Sequence, residues 1–205
     1  MLHIKKIKEY LQNEICLFSN LFNDILNNCK CYNEYDIFLL SVCKRSIDVL
    51  DTISYAAKKY NINTLYPLIR LQIDNCLVLQ AALIHKNNIK FFEKLFDNGF
   101  QLRLFKSPID GIPLSERQIA KMISNDNPDF FNSYDYCCDF VHFTRQALHL
   151  SVRDVQKMTF YLNCTIGNKE QKHRIELAIS HLQGINKTLI NLIQKCDNQF
   201  PRSKC

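Results

Sequence analysis

Between residues 65 and 85 the chain reads LYPLIRLQIDNCLVLQAALIH, apolar on nearly every side of a helix yet interrupted by Pro67, Arg70, Gln72 and Asp74. A membrane span needs about 20 mostly uncharged residues in a row, so this run is expected to be the buried central helix of a globular domain. A helix that is apolar all round must be enclosed by other elements. The remaining chain therefore has to supply helices that each turn one apolar stripe inward.

It does so along most of its length. Ile4, Ile7, Leu11, Ile15, Phe18, Phe22 and Ile25 recur every three or four residues, which lays one stripe down a first helix ending near Asn28. Asn33 before Glu34 suits a helix start, and Ile37, Leu40, Ile47, Leu50, Ile53 and Ala57 carry the second helix to about Tyr60. Asn61 and Asn63 mark the turn, and Thr64 is placed to cap the central helix with Pro67 in its first turn. A short helix over 89–97 follows Asn88 and is expected to stop at Asn98 and Gly99. The stretch 100–113 holds Pro108, Gly111 and Pro113 and reads as an irregular loop suited to a lid or a partner contact. Ser115 opens another short helix to Ser124, and the run at 125–128 ends it and starts the next. Met158, Phe160, Leu162, Cys164 and Ile166 alternate with other residues, which suggests one short extended segment over 157–166. Ile175, Ile179, Leu182, Ile185, Leu189, Ile193 and Cys196 make a last long helix, with a fraying tail at 197–205. The expected fold is all-α, a bundle of six or seven helices around a buried central one. It forms a single domain over 1–205, with Leu68, Leu71, Leu79 and Leu83 largely buried.

Function classes fall away on composition. Four scattered glycines in 205 residues leave no Gly-rich phosphate loop, and no G-x-S-x-G elbow is present. The 26 basic and 20 acidic side chains give a net charge of +6, which favours anionic partners without the dense tracts of a nucleic-acid-binding arm. The N-terminal residues interleave charges with apolar positions and lack a secretory h-region. A cytoplasmic location is therefore expected, with the ten cysteines reduced and no membrane partner.

Chemistry concentrates in YDYCCDFVHFTRQALHL, residues 134–150. His142, Arg145 and His149 are spaced i, i+3, i+7, Cys138 precedes His142 by four, and Asp139 lies beside it. On one continuous helix these residues share a face. Arg70 and Asp74, four apart on the central helix, are a second set of charges in apolar surroundings, and buried charges are costly unless paired. One polar network of Arg70, Asp74, Asp139 and His142 is therefore expected between the two helices. It is either a device that pins helix register or part of a phosphodiester site, with His142 or His149 as acid/base and Arg145 or Arg70 on the phosphate. Asp139-x-x-His142 and Glu170-x-x-His173 have the spacing of di-metal carboxylate bundles. The lone glutamates such a site also needs are missing from the central helix, so no metal and no cofactor are expected. Neither Cys29-x-Cys31 nor Cys137-Cys138 is a zinc knuckle, and most cysteines fall on apolar stripes as small core residues.

Arg70, Asp74 and the run from Tyr134 to Thr144, with its Val141-His142-Phe143-Thr144, resemble a group of uncharacterised bacterial helical proteins. Those proteins carry an Arg, an acidic residue four later, and a Tyr-containing helix ending in Val-His-Phe-Ser/Thr. The resemblance covers about a third of the chain. That group is similar in helix layout to HEPN-type domains, many of them dimeric ribonucleases of toxin–antitoxin and antiphage systems, with an Arg followed four to six residues later by a His. Here three residues separate Arg145 from His149. The resemblance implies an RNA-directed factor and a homodimer, with His149 and Arg145 as the catalytic pair of a metal-independent ribonuclease. The other expectation is a non-catalytic helical module that binds a protein partner through the 100–113 loop or the basic first helix.

Overall fold

A computed structural model describes residues 2–28, 33–96, 101–107, 111–142, 152–156, 159–162 and 172–200. Among these residues seven α-helices form the expected all-α bundle: α1 (Leu2–Asn28), α2 (Glu34–Lys58), α3 (Ile62–Ile84), α4 (Ile89–Leu95), α5 (Glu116–Ser124), α6 (Phe130–Val141) and α7 (Lys172–Gln199).

The centre is α3, which packs against α2, α5, α6 and α7. By length and composition it is the one helix among the described residues that could cross a membrane, and those four helices bury half of its apolar window. Leu65, Ile69, Ile73, Cys76, Leu77 and Leu79 are buried, whereas Leu68, Leu71 and Leu83 are only half-buried. For Leu68 and Leu71 the reason is local, because both line a groove that opens between α3 and the end of α6.

Local chemistry sets the helix ends. Asn33 and Asp36 form a reciprocal capping box at α2, and Ser115 with Gln118 forms another at α5. The cap of α3 differs from expectation: Asn61 Oδ1 accepts from Thr64 N–H, so the helix starts earlier and Pro67 lies inside it. The preceding turn explains the shift. Tyr60 adopts φ 55°, its N–H reaches Ala57 O, and Asn61 N–H reaches Ala56 O, a Schellman closure that delivers Asn61 directly to the cap. The stop expected at Asn98 and Gly99 lies outside the described residues.

The described residues of the 100–113 stretch, 101–107 and 111–113, are more ordered than their composition suggests. The stretch holds a 3-10 turn (Leu102–Leu104) and an antiparallel bridge between Lys106 and Pro113, with Leu114 N–H on Phe105 O. Phe105 anchors it in an aromatic cluster with Phe91 and His85. Burial of an aromatic ring outweighs the turn signals around it. The same force holds the end of α7: the helix continues to Gln199 and Phe200 is buried against Tyr35 and Phe92 rather than frayed, while residues 201–205 of the expected tail lie outside the described residues. In place of one extended segment there are two strands, β1 (Val152–Gln156) and β2 (Thr159–Leu162), paired antiparallel from Gln156↔Thr159 to Val152↔Leu162 with an irregularity between Val152 and Asp154. The first strand lacks strict alternation, which is why the sequence pattern exposes only the second.

Candidate functional site

Arg70 lies on the face of α3 that meets α5 and α6, and its guanidinium is committed on three sides. Nη1 pairs with Asp74 one turn along α3, Nη2 donates to Glu116 Oε2 at 2.6 Å, and Nε donates to Cys138 Sγ at 3.3 Å. The guanidinium also sits 5.0 Å from the Tyr134 ring centroid. Burial works against the cation, but Asp74, Cys138 and Glu116 together outweigh it and raise its proton affinity further. Burial pushes the Asp74 carboxyl above the usual aspartate value, Arg70 pulls it back, and Glu116 adds to the rise because two carboxylates share one cation. With Arg70 only 8% exposed and its donors on carboxylates, a phosphate would have to displace an ion pair to reach it. Its role is to join α3 to α5 and α6.

The structure thus brings Arg70 and Asp74 to α6, and the contact runs through Cys138 and Tyr134 rather than through the expected His142. Asp139 is half-buried on the next position of α6, and His142 is the exposed C-cap of that helix, its N–H on Cys138 O. His142 does share an open groove of about 610 Å³ with Arg70, Asp74 and Glu116. Arg145 and His149, the expected catalytic pair, lie outside the described residues, as does Glu170. Among the described residues no three His, Cys, Asp or Glu side chains converge on a metal position.

On the other side of the Arg70–Glu116 bridge a second groove, about 750 Å³, is lined by Arg45, Arg103 and Arg117 together with Gln101, Ser115, Tyr134 and the Asp74 and Glu116 carboxylates that Arg70 already partners. All three arginines are exposed. Arg103 donates to Gln101 Oε1 at 2.7 Å and Arg45 to Asn75 Oδ1 at 2.9 Å, both neutral acceptors, while Arg117 lies 3.6 Å from Asp135 and over the Phe131 ring. Arg103, held by a neutral amide, keeps its charge available to an anion, while the Arg45 charge also acts on Asp74 across the groove.

Arg45 is the outer end of a hydrogen-bond chain that crosses the bundle. Asn75 Nδ2 donates to Gln72 Oε1 (2.9 Å) and to Ser46 Oγ (3.0 Å), Gln72 Nε2 to Asn186 Oδ1 (3.2 Å), and Asn186 Nδ2 to Glu14 Oε2 (2.9 Å) and the Tyr10 hydroxyl (3.3 Å). Gln72, Asn75 and Asn186 are essentially unexposed, so this ladder satisfies groups that would each be costly if left unpaired. Sequence reading missed Glu116, Arg45 and the ladder. Polar residues at Gln72, Asn75 and Asn186 inside apolar stripes were the available signal for the ladder; Glu116 in the first turn of α5 reads only as a dipole-favoured acid.

Of the six described cysteines, Cys43, Cys76, Cys137 and Cys196 are buried. Burial pushes the Cys43 and Cys137 thiols up to about 12, which keeps them protonated. No protein-family model, curated protein or solved structure matches the chain.

Proposed function

We propose that this chain is an RNA-directed helical protein that holds RNA phosphates in the groove of Arg45, Arg103 and Arg117. The observation that carries the reading is this trio of exposed guanidiniums around one groove, two of them fixed by neutral amides. The net charge of +6 adds a favourable long-range field. The Arg70 bridge fixes α5, and with it Arg117, against α3. The HEPN-like resemblance supplies the setting, a cytoplasmic homodimer in bacterial defence or toxin–antitoxin regulation, and the chemistry, with His149 taking the 2′-hydroxyl proton and Arg145 stabilising the phosphorane.

Anisotropy of a labelled 20-nucleotide single-stranded RNA tests the binding step. Three phosphate contacts give a log–log salt slope of about −2, and each Arg→Ala substitution in the trio lowers it by roughly 0.7. RNA incubated with the protein in EDTA tests the chemistry, where His149→Ala lowers cleavage by about 10²–10⁴-fold. Binding that is absent, or unchanged in the triple variant, overturns the reading and leaves the protein-interaction module. Binding without cleavage removes the enzyme alone.

A further inference from the structure

The α1–α2 hairpin forms one outer wall of the bundle, and its outer seam is open at both ends. One opening, about 760 Å³, lies beside Ile4, Lys8 and Leu11 of α1 and Asp51, Tyr55 and Lys58 of α2. The other, about 660 Å³, lies beside Phe22 and Leu26 of α1 and Ile37, Lys44 and Asp48 of α2. Helical spacing joins them. Ile37, Lys44, Asp48, Asp51, Tyr55 and Lys58 fall on a single stripe of α2, and Ile4, Lys8, Ile15, Phe22 and Leu26 fall on a single stripe of α1. In the antiparallel pair the two stripes face the same seam, which runs about 33 Å from Ile4 to Leu26 at 1.5 Å per residue.

The seam has an apolar floor and a basic rim. Ile7, Leu11 and Ala57 form the floor at one end, and Tyr55, 65% exposed, and Ile37, 46% exposed, stand out of opposite ends of it. Five basic side chains line the two openings (Lys5, Lys8, Lys44, Arg45 and Lys58) against two acidic ones, Asp48 and Asp51. Lys44 is tied to Asp48 at 2.5 Å, while Lys59 adds further positive charge over the Tyr55 ring. An exposed aromatic beside an apolar floor with a charged rim is the anatomy of a protein-binding hot spot.

From the length, the apolar floor and the charge, we infer that the seam takes an acidic amphipathic helix of about 20 residues from a protein partner, laid in the helix-in-groove manner. Its apolar stripe covers Tyr55 with Ile7, Leu11 and Ala57 at one end and Ile37 with Phe22 and Leu26 at the other, and its acidic flanks meet Lys8 and Lys58. The two carboxylates at mid-seam argue against an anionic bilayer, which would press negative headgroups onto Asp48 and Asp51. They call instead for one basic residue near the middle of the partner helix. The seam shares only Arg45 with the arginine groove, at one end, and the inference leans on Lys8 and Lys58 at the other, so it stands whether or not RNA binds there.

The test uses a fluorescein-labelled 21-residue peptide of three heptads, Leu at the first and fourth positions, Glu at the others, with one central Lys. Two controls accompany it, a permuted peptide of the same composition and vesicles of phosphatidylserine with phosphatidylcholine. The full chain is expected to bind the heptad peptide saturably, with a gain of peptide helicity by circular dichroism and at least tenfold preference over the permuted peptide. Tyr55→Ala with Ile37→Ala, and separately Lys8→Glu with Lys58→Glu, should each weaken binding at least tenfold while leaving the melting temperature in place, since all four side chains are exposed. A peptide with Lys flanks should recover binding on the Lys8→Glu, Lys58→Glu protein. Absence of saturable binding, equal binding of the permuted peptide, binding that survives both double substitutions, or binding to vesicles alone overturns the inference.

Discussion

A guanidinium enclosed by three helices persists because each of its three nitrogens donates to an acceptor, and the arrangement around Arg70 predicts how it fails. Asp74→Ala leaves Glu116 in place, so the loss should be that of a charged hydrogen bond, about 1.5–3 kcal/mol. Glu116→Ala, at a more exposed carboxylate, should cost about 1 kcal/mol or less. The double substitution strands a buried cation and should cost more than the two losses added, about 3–5 kcal/mol by urea unfolding. Additive losses would mean that solvent reaches Arg70. Two histidines carry a pH prediction. Burial lowers the proton affinity of His85, stacked 5.0 Å from Phe91, and of His181, whose Nδ1 lies 2.8 Å from Ser133 Oγ. A histidine whose folded value lies below its ordinary 6.5 takes up a proton more readily when unfolded, so stability is complete above that pH and is lost as pH falls through it. His85→Phe should flatten the stability profile below about pH 6.5 relative to the wild type. An unchanged acid slope in both His85→Phe and His181→Gln would place the titration elsewhere.

At the scale of elements, the stripe of α7 and the starts of α2 and α5 were legible because apolar period and capping chemistry agree there, as at Ser115 with Gln118. The central helix was legible for a coarser reason, that Ile69, Ile73, Cys76 and Leu77 leave no side for solvent. What stayed hidden depends on neighbours distant in sequence. Arg70 and Asp74 announce that partners are needed, but nothing local to α3 names Glu116, 46 positions away in the chain. Phe105 and Phe200 look like loop and tail residues until the aromatic cluster that receives them has assembled. The cap at Ser115 ties local chemistry to the candidate site, because α5 presents Glu116 and Arg117 from its first turn. Ser115→Ala should cost about 1 kcal/mol. If RNA is held in the arginine groove, the same substitution should also weaken RNA binding several-fold without touching an arginine, an effect that Asn33→Ala, at the remote cap of α2, should not produce at equal loss of stability.

For the whole molecule, the question is whether the α1–α2 wall and the rest of the bundle fold as one unit. The packing argues that they do. α2 packs on α3, and α1 reaches across to α7, where Asn186 donates to both Glu14 and the Tyr10 hydroxyl while also holding Gln72 of α3. Removing α1 would therefore expose the apolar stripe of α2 and break a buried ladder that two other helices share. Both losses oppose the entropy that fraying of the helix returns. The sequence supplies a direct probe, since it has nine tyrosines and no tryptophan. Tyr35 sits under the α4 aromatic cluster, Tyr66 stacks 4.2 Å from Phe140 in the α3–α6 contact, and Tyr134 lies under Arg70, so tyrosine emission reports on tertiary packing in several layers. Far-ultraviolet circular dichroism reports instead on helix throughout, and α1 supplies 27 of the described helical residues. Urea unfolding followed by the two signals should give superimposable transitions with one midpoint. Asn186→Leu removes the rung that joins α1, α3 and α7, and it should lower that midpoint for both probes together. A dichroism loss that precedes the tyrosine change would mean that α1 unfolds by itself, and the ladder would then be a local contact rather than the tie between the two walls.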